Sequence, residues 1–208
     1  MRVVVLCSGG VDSSVLMQQL QKKGHRVFPL FVDYGQLACE EEWSSCQKIC
    51  NYLNLTPERI NVHDFGRIVP SGLTNKDLDI EKKAFAPTRN LLFLTLGAAY
   101  GYDKGAYVVA TGILANPIFP DQTREFLAET QKTLSIALGT SITILAPLIS
   151  LDKFDSLMLA RKHGLPLNLT YSCHAGTEKP CGECISCKER IAAENGLAKS
   201  ASNLLGKS

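Results

Sequence analysis

Ser8-Gly9-Gly10-Val11-Asp12-Ser13-Ser14 stands between a short apolar run and the first amphipathic stretch. Its residue types suit an anion. Gly9 and Gly10 permit positive φ and close backbone approach. The first N–H groups of a following helix have no internal partner and point outward, where the helix dipole favours negative charge. Ser8, Ser13 and Ser14 add hydroxyl donors. A phosphate chain uses such an array best, although neither G-x-x-x-x-G-K-[ST] nor G-x-G-x-x-G is present. Asp12 is the exception, because a carboxylate beside phosphates needs neutralising. Mg²⁺ bridging carboxylate and phosphate oxygens would do so. The plainer reading is a first-turn acid that favours the helix dipole.

A second constellation lies near the C-terminus. Cys181, Cys184 and Cys187 are spaced for a tight chelating turn, and Cys173 can return across a loop as the fourth ligand. A closed tetrahedral four-thiolate zinc site, structural in role, follows from that spacing. It would contribute directly to folding free energy. An iron–sulfur cluster is the rival reading, since C-x-x-C-x-x-C also occurs there. His174 is a further possible ligand, made awkward by its adjacency to Cys173. The other four of the eight cysteines, Cys7, Cys39, Cys46 and Cys50, read as core thiols, with Cys39 the most exposed.

The elements that must position these groups alternate. Val3 to Leu6, Val27 to Val32, Arg59 to His63, Ala106 to Thr111 and Thr140 to Leu145 read as strands, rich in β-branched residues and closed by turns. Asp12 to Lys23, Cys39 to Leu53, Thr88 to Tyr100, Asp121 to Leu138 and Lys153 to His163 read as helices. Gly24 and Gly164 end two of them. Trp43, Cys46, Ile49, Cys50 and Leu53 form a core-facing stripe. Thr88 is the expected cap of a helix with almost no polar face, and so a buried one. The irregular stretch from Asp64 to Pro87 is either a binding loop or a surface excursion, with one short helix.

This βαβ alternation predicts an α/β fold: a mostly parallel, Rossmann-like sheet of about five strands with helices on both faces. The loops after Leu6, Val32 and Thr111 then share the ligand-binding edge. Residues 1–165 read as the phosphate-binding α/β domain and 166–208 as a zinc-binding helical segment packed on it.

Composition sets the outer bounds. Of 208 residues, 45% are hydrophobic and 20% charged, which excludes a disordered or fibrous chain. A net charge of +2 lacks the basic bias of a dedicated nucleic-acid binder and gives direct nucleic-acid binding no support. No apolar run is long enough for a membrane span, and Gly9-Gly10 and Asp12 interrupt any signal-peptide core. A cytoplasmic protein is expected, its cysteines free or metal-bound.

The S-G-G-x-D-S-S loop resembles that of the N-type ATP pyrophosphatase, or PP-loop, superfamily, whose members adenylate a carbonyl or carboxylate oxygen. Over nearly the whole chain the sequence resembles the 7-cyano-7-deazaguanine synthases. The match runs through Val32-Asp33-Tyr34-Gly35-Gln36, Arg89-Asn90-Leu91-Leu92-Phe93-Leu94, Thr111-Gly112, Pro120-Asp121, Arg124-Glu125-Phe126, Pro147-Leu148, Asp152-Lys153 and Ser172-Cys173 to the cysteine motif.

The resemblance implies a homodimeric zinc enzyme, one zinc per subunit, acting on 7-carboxy-7-deazaguanine with ATP, Mg²⁺ and ammonia. Adenylation and ammonia give an amide, and a second adenylation gives the nitrile. It assigns catalysis to Asp12, Lys153 and Arg89. Nucleotide binding falls to Ser8, Gly9, Gly10, Asp12, Ser13, Ser14, Asp33, Gln36, Thr111 and Gly112. Substrate binding falls to Arg89, Asn90, Asn116, Asp121 and Arg124.

One segment departs from these relatives. Ile113-Leu114-Ala115-Asn116-Pro117-Ile118-Phe119-Pro120-Asp121-Gln122 stands where they carry an acidic and aromatic stretch before the Pro-Asp pair and a Cys after it, and Thr88 stands where they carry Gly. Without acidic partners a deazaguanine edge would be buried unsatisfied. Two alternatives follow: a diverged enzyme adenylating another carboxylate, amide or nucleobase, with sulfur transfer through a free cysteine as one form, and a non-catalytic nucleotide-binding protein.

Overall fold

The computed structural model describes residues 1–205, with side chains through residue 199. The strands are β1 (Arg2–Leu6), β2 (Arg26–Asp33), β3 (Glu58–Asn61), β4 (Val108–Ala110) and β5 (Thr143–Leu145). The helices are α1 (Val11–Lys22), α2 (Cys39–Tyr52), α3 (Asp64–Ile68), α4 (Arg89–Asp103), α5 (Arg124–Leu138), α6 (Lys153–Lys162) and α7 (Ile185–Leu205). All ladders are parallel, in the order β3-β2-β1-β4-β5. The predicted α/β architecture is therefore the observed one.

Strand periodicity divides the core. Val3 and Val5 face one side with Phe31 and Ala110, under α1, α2, α6 and α7. Val4 and Leu30 face the other, where Val109 packs with Leu94, Ala98, Leu127 and Leu134 of α4 and α5. Alternate residues of one strand thus serve two layers, the pattern of a sheet covered on both faces. Ala193 and Leu197 of α7 belong to the same cluster as Val3 and Val15. The C-terminal helix is accordingly part of the main core.

Two expectations about α4 are corrected. Its apolar sequence predicts burial all round, yet only Leu94, Gly97, Ala98 and Gly101 are buried, and Leu91 is 37% exposed. The helix is an outer layer, packed on the sheet, α5 and the short turn Pro120–Gln122. Nor does Thr88 cap it: Thr88 has φ +62° and makes no side-chain cap bond. The cap comes from afar, since the Asp121 carboxylate accepts the Asn90 backbone N–H at 3.3 Å and the Asp121 carbonyl accepts the Asn90 side-chain amide at 3.1 Å.

The Asp64 to Pro87 stretch forms α3 and then a compact loop docked on the sheet edge. The Leu37 N–H donates to the Leu73 carbonyl at 2.8 Å, Gly72 N–H to Lys83 at 2.7 Å, and Phe85 stacks on Phe119 at 5.2 Å. Leu73 and Ala84 face the cavity described below. The stretch is thus an ordered loop beside the cavity rather than a surface excursion.

Close packing of α4 rests on small residues. A Cβ at Gly101 would lie 2.3 Å from the Ala106 carbonyl oxygen. Gly101→Ala should therefore lower stability by about 1–3 kcal/mol, read as a fall in the urea midpoint without a change in slope.

Candidate functional site: a phosphate loop over a shared cavity

The strand C-termini open into a cavity of about 800 Å³. Ser8, Gly10, Asp12 and Ser13 of the first loop line it, with Gln36, Arg89, Asn90, Thr111, Gly112, Asn116 and Lys153. Most of the residues singled out in the sequence therefore meet in one space. The loop itself is locked from behind. Gly9 has φ +73°, and a Cβ there would lie 2.5 Å from the Glu42 carbonyl oxygen and 2.7 Å from the Cys46 nitrogen. Its carbonyl accepts the Tyr171 N–H at 3.1 Å. Gly9 thus shapes the loop, and Gly10 presents it. Ser14 turns inward, its hydroxyl donating to the Gly10 carbonyl at 2.7 Å, and is fully buried.

Asp12 and Lys153 form the charged centre. Lys153 Nζ donates to Asp12 Oδ2 at 2.5 Å, and the Ser156 hydroxyl to Oδ1 at 2.7 Å. Lys153 begins α6, whose N-cap Asp152 accepts the Asp155 N–H. Sequence-distant α1 and α6 are thereby joined at the phosphate end. Both side chains are largely buried, which strengthens the pair beyond a surface bridge.

Arg89 leads α4 into the opposite wall. Its guanidinium lies 5.8 Å from the centroids of both Tyr34 and Phe93, and its Nε is buried with no partner. A planar cation set against a pair of touching rings, with a donor left over, suits an anionic or heteroaromatic ligand.

Three of the expected residues stand apart. Asp33 pairs with Arg59 at 2.8 Å and with His63 Nδ1 at 3.4 Å on the far side of β2. Burial opposes its ionisation, but Arg59 and the Gly35 N–H outweigh it and hold the carboxyl below its usual range. Asp121 caps α4, and Arg124 donates to Ser150 at 2.8 Å. None of the three faces the cavity among its lining residues.

The cavity also holds carboxylates that the sequence does not advertise. Glu42 of α2 and Glu189 of α7 line it, with His174 and Ser186. The Gln36 amide donates to Glu42 at 3.0 Å. Burial pushes the Glu42 carboxyl up to about 7, the Gln36 bond opposing. Burial also raises Glu189, against the pull of Lys153. Nothing local in the sequence distinguishes Glu42 from its neighbours Glu40 and Glu41; only the rotation of α2 does.

The four-cysteine cluster closes beneath this wall. The sulfurs of Cys173, Cys181, Cys184 and Cys187 all lie within 4.8 Å of one another. Tetrahedral thiolates about 2.3 Å from one ion stand about 3.8 Å apart, so the set fits a single ion and is too tight for a multi-iron core. Backbone N–H groups of Ala175 and Cys181 point at Cys173 Sγ at 3.4 and 3.3 Å, and that of His174 at Cys184 Sγ at 3.5 Å. Such donors favour thiolates and orient ligands. His174 itself is outside the cluster, its Nε2 3.0 Å from the Ser186 hydroxyl. Cys39, expected to be the most exposed of the other four cysteines, is so at 8%, behind Arg59.

A doubly covered parallel sheet whose S-G-G loop leads from β1 into α1 defines a PP-loop ATP pyrophosphatase fold. Solved structures agree on the fold. A 4-thiouridine synthetase–RNA complex with bound ATP matches with a TM-score of 0.60 at 19% identity, covering 93% of this chain and 50% of that one. The NH3-dependent NAD synthetase of Campylobacter jejuni matches with a TM-score of 0.52 at 18% identity, covering 80% and 66%. The family model of queuosine biosynthesis protein QueC matches residues 2–198, and the chain belongs to this family. Among curated relatives, the 7-cyano-7-deazaguanine synthase of Caldicellulosiruptor bescii is 32% identical over 93% of this chain and 92% of its own length. That of Picrophilus torridus is 35% identical over 91% and 85%.

Glu42 gives a pH test on the ligand-free protein. Its native pKa of about 7 exceeds the ordinary 4.5, so the native state keeps a proton that the unfolded chain has released. This contribution is complete below pH 4.5, falls as pH rises towards 7, and is gone above it. Urea titrations should show Glu42→Gln gaining on the wild type across that window, by up to about 3 kcal/mol. A constant difference would remove Glu42 as a buried, protonated group.

Proposed function

We propose that this chain uses ATP and ammonia to convert 7-carboxy-7-deazaguanine to 7-cyano-7-deazaguanine through adenylated intermediates. The observation that carries the reading is one cavity joining the phosphate loop and the Asp12–Lys153 pair to the aromatic-flanked Arg89. Membership of the QueC family and relatives named as such synthases support the substrate.

The chemistry follows from charge. A carboxylate resists nucleophiles until its oxygen becomes part of a good leaving group. Its oxygen attacks the α-phosphorus of ATP, and pyrophosphate departs. The loop N–H groups, Ser8, Ser13 and Lys153 hold the negative charge that develops there. Mg²⁺, held by Asp12 and phosphate oxygens, would supply further neutralisation. Ammonia then adds to the acyl carbon and AMP leaves, giving the amide. The amide oxygen then attacks the α-phosphorus of a second ATP, pyrophosphate departs, and loss of AMP and protons from the adenylated amide leaves the nitrile.

Gln36, Thr111 and Gly112 complete the nucleotide side, and Arg89, Asn90 and Asn116 the acyl side. Asp33, Asp121 and Arg124 act in support rather than at the reacting atoms. Glu42 and Glu189 offer the acceptors that the 113–122 segment lacks for a deazaguanine edge. That apolar segment favours one second reading, in which the same machinery adenylates a different carboxylate or amide.

The four-cysteine cluster holds one structural Zn²⁺ per subunit in this proposal, with residues 1–165 as the catalytic domain and 166–208 as its stapled extension; residues 206–208 lie outside the described residues. The enzyme acts as a cytoplasmic homodimer, with the part-exposed apolar side of α4 in its favour. No described helix is long and apolar enough to cross a membrane.

AMP release with ammonia present, compared for 7-carboxy-7-deazaguanine, its amide and no substrate, tests the reading. Substrate-dependent AMP with nitrile product is expected; AMP without nitrile would favour the second reading, and no AMP despite ATP binding a non-catalytic role. Asp12→Ala should abolish AMP release with the fold intact, and Lys153→Ala should slow it about 10²-fold or more. Cys184→Ala should lose zinc and solubility together, since one missing ligand opens the closed site. A stable, metal-replete Cys184→Ala protein would contradict the structural assignment.

A further inference from the structure

Cys7, Cys46 and Cys50 form a second sulfur cluster, distinct in residues and position from the four-cysteine site. Their three sulfurs lie within 4.8 Å of one another. Cys46 and Cys50 are one helical turn apart on the same face of α2, and Cys7 ends the first strand segment opposite them. All three are buried, at 4%, 0% and 0% exposure.

Small core cysteines normally pack as apolar groups. This set differs, because Cys7 Sγ and Cys46 Sγ are only 3.0 Å apart. That is closer than carbon atoms settle at their optimum of about 3.5–4.0 Å, although sulfur is larger. The thiols meet as polar partners. Meanwhile Cys7 also lines the 800 Å³ cavity, which supplies an entry path to an otherwise closed site.

We propose that Cys7, Cys46 and Cys50 bind a single thiophilic divalent ion of the zinc–cadmium class at the floor of the nucleotide cavity, through three thiolates. Sulfurs about 2.3 Å from one ion stand about 3.8–4.0 Å apart, so the Cys7–Cys46 contact opens by about 1 Å on binding. A multi-metal cluster would require much larger separations. Three thiolates about a divalent ion carry one net negative charge, and the positive end of the α1 dipole lies just beyond Cys7. The fourth ligand comes from the cavity side, which is where an open position is wanted for water or a ligand oxygen.

The consequence is mechanical. The ion ties the residue immediately before the phosphate loop to α2, whose Glu42 carbonyl and Cys46 nitrogen already confine Gly9. Filling the site therefore stiffens the loop that holds phosphates, independently of the C-terminal staple.

Cadmium provides the probe. The reduced full-length protein, exchanged into cadmium, should bind two ions per chain and give two cadmium NMR resonances. Cys46→Ala and Cys50→Ala should each bind one and keep only the four-cysteine resonance, with circular dichroism confirming the fold. Added cadmium should raise the melting temperature of the wild type beyond that of either variant. One ion per chain in the wild type, or two in both variants, overturns the proposal. So does recovery of a Cys7–Cys46 disulfide from freshly isolated, unreduced protein, which would assign the pair to thiol oxidation instead. None of these readouts depends on AMP formation, so failure here leaves the adenylation reading standing and the reverse also holds.

Discussion

Everything at this site depends on a glycine with nowhere to put a side chain. Gly9 is wedged against the Glu42 carbonyl and the Cys46 nitrogen of α2, while its own carbonyl receives the Tyr171 N–H. Its backbone thereby joins the first strand, the second helix and the C-terminal segment at one point. The loop presents its next residues to the cavity only because this one is held from behind. A preorganised anion site is useful in proportion to how little it reorganises when charge develops, and the threefold confinement of Gly9 supplies that rigidity.

The C-terminal cysteine segment gains its role from the same contact. Two residues after Tyr171 comes Cys173, and Gly176 fits against the Leu37 carbonyl at a distance no Cβ could share. An ion holding Cys173, Cys181, Cys184 and Cys187 would therefore fix the segment that braces Gly9. It would also place α7, whose Glu189 reaches the cavity and whose Ala193 and Leu197 seal the core. Folding energy from metal binding would in this way be transmitted to the phosphate loop.

Much of this was legible residue by residue. Strand and helix alternation follow from local periodicity, and the five parallel strands follow from that alternation. The S-G-G-x-D-S-S loop and the cysteine spacing declare their chemistry because each is contiguous. Other features were misjudged for one reason, a dependence on distant partners. Thr88 has a capping side chain but sits at φ +62°, and Asp121 does the capping from a segment distant in sequence. The α4 sequence is apolar enough to be surrounded, yet no second layer covers its outer side. Asp33, attractive within its motif, is consumed by Arg59 and His63.

The apolar 113–122 segment shows the same division most clearly. Read alone it leaves a heterocycle edge without acceptors, whereas the folded cavity brings Glu42 and Glu189 from two helices to the same wall. The sequence by itself determined the α/β fold, the phosphate loop and the four-thiolate set, because those are written in local spacing and hydrophobic period. Tertiary structure alone decided the Asp12–Lys153–Ser156 centre, the buried Glu42 with its raised pKa and the Cys7–Cys46–Cys50 cluster. Burial and helix rotation set those, and both are properties of the packed chain rather than of any segment within it.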